Sequence, residues 1–478
     1  MRKHLTEQTA IFFSVSKWVF LSSIIGIVIG AIVTLFLDIL HWTEHSRNLL
    51  PFHFYYTLPF ILMLSLWLVK KFAPTAEGHG TEKVIEAVHK NYGKIDIWVI
   101  PVKLVTTVLT IFAGGSVGKE GPAAQIGAGA ASGISDLLRF NKYDRKNLVI
   151  CGISAGFAAV FGTPIAGAIF GVEVLIIGVI KYDVLLPSFI AGFAAFTTTQ
   201  FLGIEYTYYD VRFYENIALD LPLIFEVVVA GIFFGIVTDI FVTAVSWSHR
   251  AIKNIKLNPY LKAFFGGVIL IIIASIFGDR YLGLGLDTIK LLLNHDGDFA
   301  KDIPWYAFLL KTLTTSISLA VGGSGGIITP IFYVGAASGH LIGMLLNEHI
   351  ALFAALGFVS VVAGATNAPI AATIMAVELF GLEIAHYAAL SAVISFLITG
   401  HRSVFSSQIL AMKKSGILNV KIGKEIDDAE VKLEEKEINQ IRDIRERLQQ
   451  RRKKLVQTRQ QNKIDKKRKK QNSTKKEE

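Results

Sequence analysis

Cysteine is nearly absent from this chain of 478 residues, which contains Cys151 alone. One thiol excludes an internal disulfide and a cysteine metal cluster, and Cys151 lies in an apolar tract where it is predicted to be a small packing residue. The sequence also lacks a nucleotide-binding loop, a cluster of metal ligands and a recognisable pairing of a nucleophile with a base. We therefore expect neither an enzyme nor a protein that holds a metal or other cofactor.

Charged residues are scarce as well, at 18% of the chain, whereas hydrophobic residues make up 52% and the mean hydropathy is +0.50. The apolar tracts Phe20–Leu37, Leu148–Ile180 and Leu221–Val245 are long enough to cross a bilayer. The tracts Thr106–Ala113 and Ala123–Gly133 are too short to cross alone and are predicted to be half-helices inside the membrane. The first tract lacks a cleavage site, so no cleavable signal is expected. The composition predicts an all-α polytopic membrane protein.

Aromatic residues are absent from residues 413–478, which form a basic tail. Apolar residues recur at helical spacing from Ile438, which predicts one amphipathic helix over Ile438–Leu455, and the basic stretch Lys466–Lys470 is predicted to be disordered. Basic residues beside a membrane mark its cytoplasmic side and attract acidic lipids, so membrane lipids are the expected partner of the tail. A coiled coil or a protein partner is the alternative. No aromatic interleaving or nucleic-acid module is present, so nucleic acid is not an expected partner.

Basic residues also occur near the amino terminus, at Arg2, Lys3 and Lys17. They predict that both termini are cytoplasmic, with an even number of crossings between them. The single cysteine, the lack of a signal and the compact loops favour a bacterial inner (plasma) membrane. The predicted organisation is a cytoplasmic segment 1–14, membrane halves 15–205 and 206–412, and the cytoplasmic tail 413–478.

The two predicted halves share near copies of two segments. Gly114–Pro122 (GGSVGKEGP) returns 208 residues later (322 − 114) as Gly322–Pro330 (GGSGGIITP). Pro164–Glu173 returns 205 residues later (369 − 164) as Pro369–Glu378. Related halves with helices broken by glycine at equivalent places are typical of transporter and channel folds, in which the break is where a polar solute binds.

The first copy has the features of an anion cradle. Gly118 and Gly121 allow a tight turn, and Pro122 suits the first turn of a helix, where its missing N–H costs nothing. The helix predicted from Ala123 then points its free N–H groups and its positive dipole end back into the glycine loop. This arrangement favours a negative charge.

The second copy predicts the same helix start at Thr329 and Pro330. Two helix starts aimed at one point would bind an anion without a full positive charge, which leaves the anion free to depart. We therefore expect a small inorganic anion as substrate and expect the side chain of Lys119 to point away from it.

Glu120 stands in the first copy where the second copy has Ile328. A carboxylate at membrane depth is costly and by default functional. At a helix start, an ionised Glu120 would compete with the anion for the same N–H groups, and protonation would release it. Glu120 is therefore predicted to be a gate and proton acceptor; the alternative is a helix-capping glutamate outside the membrane.

A third glycine pair, Gly78-His79-Gly80, precedes another helical pattern. His79 is predicted to donate a ring N–H to an anion or to titrate near neutral pH, and the alternative is a loop or packing residue. Glu82 is predicted only to complement the helix dipole.

These motifs resemble the CLC family of chloride channels and proton-coupled chloride antiporters, over about residues 15–412. The family signatures Gly-Ser-Gly-Ile-Pro, Gly-Lys/Arg-Glu-Gly-Pro and Gly-x-Phe-x-Pro correspond to Gly78–Glu82, Gly118–Pro122 and Gly326–Pro330, and the middle one is intact. The resemblance implies a CLC-type inverted repeat of two halves with broken, re-entrant helices, in a homodimer with one pore per subunit. It also implies that Glu120 is the gating glutamate and that the N–H groups of Gly118, Glu120, Ile327 and Ile328 line the anion sites.

The complete predicted site has two parts. The anion-binding residues are Gly78, His79, Gly80, Gly118, Lys119, Glu120, Gly121, Gly326, Ile327, Ile328 and Phe405. The residues that set the helix starts are Pro122, Thr329 and Pro330.

Three positions depart from the family pattern. His79 replaces the central serine, as in a prokaryotic branch that also reads Gly-His-Gly, and Phe405 replaces the central tyrosine. Val174 stands where many antiporters of the family have a glutamate that passes protons inward, and valine is frequent there in members that conduct as channels. We therefore predict channel-like chloride transport gated by Glu120.

Other functions stay open. The main alternative is a chloride/proton antiporter with a non-standard inward proton route, through His79 or water. A fluoride exporter is a weaker alternative, and an anion-binding membrane receptor without transport belongs to a different class. Glu173 and its repeat counterpart Glu378 are predicted to cap or bridge helices, with Glu173 as a substitute proton carrier being the alternative reading.

Overall fold

The computed structural model describes residues 2–47, 49–206, 220–293, 303–346, 349–429 and 431–434. The amphipathic helix predicted at 438–455 and the disordered stretch predicted at 466–470 lie outside the described residues. The described ranges contain sixteen α-helices in two series of eight. The first series is α1 (Arg2–Arg47), α2 (Leu58–Phe72), α3 (Thr81–Lys90), α4 (Val99–Phe112), α5 (Glu120–Leu137), α6 (Lys142–Phe161), α7 (Pro164–Glu173) and α8 (Tyr182–Phe201). The second series is α9 (Leu221–Asn254), α10 (Pro259–Phe277), α11 (Leu286–Leu293), α12 (Ala307–Ala320), α13 (Ile328–Leu346), α14 (Ile350–Thr366), α15 (Pro369–Phe380) and α16 (Ala385–Ile398).

The sequence repeat is a repeat of helices. Helices α4 and α12, each of 14 residues, begin 208 residues apart (307 − 99), as do α5 and α13 (328 − 120). Helix α1 packs on α8 and α5 on α6, and the second series repeats these contacts as α9 on α16 and α13 on α14. The two series also contact each other, since α2 packs on α10 and α7 on α15. The predicted boundary at 205/206 adjoins residues 207–219, outside the described residues, and stays a prediction.

In the part of the chain that the structure describes, five helices are long and apolar enough to cross a membrane: Thr6–Arg47, Tyr182–Phe201, Leu221–Asn254, Pro259–Phe277 and Ile328–Leu346. The outer helices expose large apolar side chains such as Phe20, Ile236 and Ile272. Helices α5, α13 and α14 are instead buried along most of their length. An apolar outer surface around a buried centre is the arrangement expected in lipid, where α-helices satisfy their own backbone hydrogen bonds.

Several predicted tracts have different bounds in the structure. Leu148–Ile180 is not one span, because Gly162 takes a left-handed conformation (φ 73°) and ends α6, and Pro164 begins α7. The helix predicted from Ala123 begins at Glu120, with Pro122 as its third residue, and its 18 residues make it longer than a half-helix. Cys151 is fully buried in α6, as predicted.

The described residues also contain two pairs of short strands. Strand β1 (Ile176–Ile177) pairs in parallel with β2 (Ile409–Leu410). The segment Gly423–Asp428 belongs to the same compact unit as residues 1–412, since Gly423 N–H donates to Leu410 O at 2.7 Å. A second unit contains residues 413–422 and the chain from 429 onward. Its strands β3 (Leu418–Val420) and β4 (Val431–Leu433) form an antiparallel pair that the sequence did not predict.

Candidate functional site

The loops before α5 and α13 lie side by side. Gly118 N–H donates to Gly326 O at 2.6 Å, and Gly326 N–H donates to Gly118 O at 2.5 Å, which forms a short antiparallel bridge. The glycine loops of the two halves therefore meet, as the repeat predicted. In this structure the Gly118 N–H is bonded within the bridge, and its part in lining an anion site stays a prediction.

The carboxylate of Glu120 lies at the start of α13. Glu120 is the first residue of α5 and is 1% exposed. Its Oε2 accepts the N–H of Thr329 at 3.0 Å, and the Thr329 hydroxyl lies 2.6 Å from Oε1 and 2.5 Å from Oε2. Thr329 is the second residue of α13, so its N–H has no acceptor within the helix. The carboxylate of one half thus takes the anion-favouring position at a helix start of the other half.

Thr329 has a role that sequence reasoning missed. It was predicted only to set the helix start, whereas both its N–H and its hydroxyl bind the carboxylate of Glu120. The signal that could have revealed this role is the position of Thr329 next to Ile328. Ile328 is the repeat counterpart of Glu120.

Glycine is required where the Gly78-His79-Gly80 loop contacts the two loops that contain Gly121 and Gly326. A Cβ on Gly80 would lie 2.5 Å from Gly121 O, and a Cβ on Gly326 would lie 2.8 Å from Gly121 N. A Cβ on Gly121 would collide with His79 O. The backbone at His79 and Gly80 is therefore in direct contact with the loop that carries Glu120.

Two buried lysines donate hydrogen bonds to backbone carbonyls of the glycine turns. Lys103 of α4 is fully buried, and its Nζ donates to Gly78 O at 2.6 Å and to Ala76 O at 3.1 Å. Its repeat counterpart Lys311 (311 − 103 = 208) donates to Gly283 O at 2.8 Å and to Tyr281 O at 3.3 Å. Backbone carbonyls satisfy both ammonium groups, as buried charges require.

The second lysine marks a repeat that sequence reasoning missed. Gly283–Asp287 (GLGLD) answers Gly78–Glu82 (GHGTE) at the offset of 205 (283 − 78) already found for another segment. Glycines of both copies have positive φ, at 84° for Gly80 and 73° for Gly285, and a helix begins directly after each. The shared offset was the signal that could have identified this pair.

The structure brings His79 and Phe405 together. Phe405 is fully buried, and its ring centroid lies 5.9 Å from that of His79. The His79 Nε2 lies 3.6 Å from Glu82 Oε2. Its Nδ1 is buried and has no hydrogen-bond partner among the residues that the structure describes.

Glu82 does more than complement a helix dipole, so that prediction is wrong. Its carboxylate accepts the N–H of Ser406 at 3.3 Å, the hydroxyl of Ser407 at 3.2 Å and the hydroxyl of Ser406. These bonds join the first turn of α3 to the segment that follows Phe405. The sequence could not predict these three bonds, because Glu82 and its donors Ser406 and Ser407 are more than 300 positions apart.

Glu173 and Glu378 each cap the start of a helix in the opposite half. Glu173 accepts the N–H groups of Ile370 and Ala371 at 3.1 and 2.8 Å, at the start of α15. Glu378 accepts those of Ile165 and Ala166 at 2.9 and 2.8 Å, at the start of α7. The structure confirms the predicted capping.

Val174, which follows Glu173, is fully buried. Its carbonyl accepts a hydrogen bond from the side-chain amide of Gln408 at 2.7 Å. An aliphatic side chain cannot carry a proton at this position.

The remaining predicted residues lie around the same loops. Ile327 and Ile328 are each 1% exposed at the start of α13, and Lys119 is half-buried directly before α5. The orientation of Lys119 and the lining of an anion site by the N–H groups of Glu120, Ile327 and Ile328 stay predictions.

Comparison with known proteins agrees with this geometry. A family profile described as voltage gated chloride channel matches residues 60–400. The chain is 34% identical over 418 residues to a chloride/fluoride channel protein of Pseudomonas syringae pv. tomato, which covers 85% of this chain and 90% of the relative. Among solved structures, a CLC-type fluoride/proton antiporter aligns with a TM-score of 0.77 and 30% identity over 84% of this chain and 99% of its own.

A slow cyanobacterial Cl⁻/H⁺ antiporter aligns with a TM-score of 0.70 and 20% identity, over 80% of this chain and 94% of its own. At that identity the likeness shows the fold alone. The CLC fold with its inverted halves, predicted from the glycine motifs, is confirmed. The chain belongs to the voltage-gated chloride channel (CLC) family of anion-transporting membrane proteins.

Proposed function

We propose that this protein moves chloride or a similar small inorganic anion across the membrane and that Glu120 is its gate. The observation that carries the proposal is the carboxylate of Glu120 bound to the N–H and hydroxyl of Thr329. An ionised Glu120 occupies the helix start that would otherwise receive the anion. Protonation removes its charge and weakens both bonds, since hydrogen bonds to charged groups are the stronger ones. The gate then opens, and anion movement increases as the pH falls.

The proposed setting follows the sequence-based expectations. The protein would lie in a bacterial inner membrane with both termini cytoplasmic, and it would form a homodimer with one pore per subunit. Lysine and arginine residues of the tail would contact lipid head groups.

Proton-coupled exchange of an anion is the second candidate. It is favoured by the identity of 30% with a CLC-type fluoride/proton antiporter, and fluoride also appears in the description of the relative that is 34% identical. The Thr329 hydroxyl supports this candidate, because a hydroxyl donor at the site suits a small, strongly hydrogen-bonding anion such as fluoride. The absence of a carboxylate at Val174 favours uncoupled chloride movement instead.

The experiment is anion efflux from proteoliposomes, with the external pH recorded at the same time. The vesicles carry a chloride gradient or a fluoride gradient and no proton gradient. Anion efflux without proton movement would support the channel-like mechanism, whereas uphill proton movement would establish exchange. The ratio of the two efflux rates identifies the preferred anion. Absence of efflux for both anions in a folded protein would overturn the transport proposal.

A further inference from the structure

Polar side chains extend from His79, next to the glycine loop that carries Glu120, toward the surface of the compact unit that contains residues 1–412. The backbone of His79 contacts the glycine loop that carries Glu120, since a Cβ on Gly121 would collide with His79 O. His79 Nε2 faces Glu82 Oε2 at 3.6 Å, and Glu82 is bonded to Ser406 and Ser407. Asp427, a partly exposed residue of the segment Gly423–Asp428, interacts electrostatically with Glu82. Glu82 stands where the family signature has a proline.

We propose that Glu82 is the inner proton acceptor of this protein and that His79 relays protons between Glu120 and Glu82. The proposal rests on proton-coupled exchange, the second candidate under the proposed function. It names the non-standard inward route that the valine at position 174 makes necessary.

The protonation pattern of His79 fits a relay. Its Nδ1 has no hydrogen-bond partner among the described residues and is therefore free to accept a proton, while the Nε2–H faces the carboxylate of Glu82. Protonated Glu120 leaves Thr329 and gives its proton to Nδ1, directly or across water in the anion pathway, and becomes a carboxylate again. The resulting imidazolium releases the other proton from Nε2 to Glu82, which becomes a carboxylic acid. The starting tautomer returns by proton exchange with water, which removes the proton from Nδ1 and places one on Nε2.

Asp427 provides the exit from Glu82. It lies in the segment Gly423–Asp428, which belongs to the same compact unit as Glu82, and the charges of Glu82, Asp428 and Arg250 act on it. Partial burial, together with the nearby Glu82 carboxylate, holds the pKa of Asp427 above its usual range, which suits a group that receives protons from Glu82. Under the proposed topology this exit is on the cytoplasmic side.

The charges around His79 come from three helices. Glu82 and Lys83 belong to its own helix start, Lys103 comes from α4 and His249 from α9. Glu82 favours the imidazolium and the other three oppose it.

Glu173 is the competing carboxylate, and its contacts argue against it. Both of its oxygens accept backbone N–H groups at the start of α15, and Glu378 makes the same contacts in the other half. Protonation would break a helix cap. Glu82 accepts one backbone N–H, from Ser406, and two hydroxyl groups, and a hydroxyl is able to donate or to accept a hydrogen bond.

The test is the ratio of protons to anions moved in proteoliposomes, measured under both the fluoride and the chloride gradient. Glu82→Gln is expected to lower this ratio at least tenfold. Glu82→Asp keeps a carboxylate and is expected to hold the ratio within threefold of the unmodified protein. The matched control is Glu86→Gln on the same helix, because Glu86 pairs with Lys83 and Lys90 at the surface, and its ratio is expected not to change.

Two results overturn the relay and leave the gating role of Glu120 intact. One is anion efflux without proton movement in the unmodified protein. The other is an unchanged proton-to-anion ratio in Glu82→Gln, including the case in which both fluxes fall together. If Glu82→Gln does not fold, His79→Asn decides, since loss of the ring is expected to lower the ratio at least tenfold and an unchanged ratio rejects the proposal.

Discussion

Three carboxylates among the described residues bind a helix start of the opposite half, and two of them form a symmetric pair. Glu173 and Glu378 stand at equivalent positions, and each accepts two backbone N–H groups from the other half. Glu120 makes the same kind of contact with Thr329, yet its counterpart is Ile328, which has no carboxylate to return. A duplicated fold keeps a symmetric pair when the pair holds the halves together. An unmatched carboxylate at the centre of the repeat is free to move without breaking that scaffold.

The largest expected effect is on stability, and it tests the scaffold side of this comparison. Replacing Glu173 or Glu378 with alanine leaves two N–H groups without an acceptor, in the first turn of α15 or α7. Since a hydrogen bond to a charged group contributes about 1.5–3 kcal/mol, each variant should lose about 3 kcal/mol or more of unfolding free energy. Chemical unfolding in detergent micelles measures this loss.

The symmetry of the two caps makes the result sharper. The losses for Glu173→Ala and Glu378→Ala are expected to agree within about 1 kcal/mol, because the contacts match in number and length. A variant of Glu173 that keeps its stability but loses proton movement would contradict the scaffold reading and restore Glu173 as a proton carrier.

Symmetry also decided how much of the structure could be predicted from the sequence. The glycine loops, the helix starts near α5 and α13, the structural role of Glu173 and Glu378 and the adjacent loops of Gly118 and Gly326 followed from the repeat, since equivalent residues report on each other. Contacts without a repeat counterpart could not be predicted from the sequence. The bonds between Glu82 and Ser406 join residues 324 positions apart, and the hydroxyl of Thr329 became a ligand only once Glu120 was placed against it.

The bounds of single helices failed for a more local reason. The tract Leu148–Ile180 is apolar throughout, so hydropathy does not reveal its break. The break depends on the left-handed conformation of Gly162 and on Pro164 at the first position of α7. Composition reports burial in lipid, whereas a turn inside an apolar tract depends on one or two backbone angles.

The next effect tests the gate. Glu120→Gln keeps the size of the side chain but has no charge to lose on acidification. The unmodified protein is expected to increase its anion efflux at least about tenfold as the pH falls through the titration of Glu120, because a titrating group changes its protonation tenfold per pH unit. The variant should show efflux that varies less than twofold over the same range, in proteoliposomes at matched external pH.

Glu383→Gln is the matched control for the gate, since Glu383 is exposed on the short turn before α16. Its pH dependence is expected to equal that of the unmodified protein. A steep fall of efflux with rising pH in Glu120→Gln would show that another group closes the pathway, and the asymmetry of Glu120 would then lose its functional meaning.

The smallest effect concerns the group that holds the gate closed. Thr329→Val keeps the shape of the side chain and the backbone N–H but removes the hydroxyl that binds Glu120. Loss of one such bond to a charged group costs about 1.5 kcal/mol, which corresponds to an increase of about tenfold in efflux above neutral pH, where the ionised gate limits movement. Thr312→Val is the control, because the Thr312 hydroxyl bonds only Phe308 O of its own helix and its loss should leave efflux unchanged. Unchanged efflux in Thr329→Val would mean that the backbone N–H alone holds the carboxylate. The contact of Glu120 would then be a helix cap like those of Glu173 and Glu378, and the distinction between gate and scaffold would rest on mobility alone.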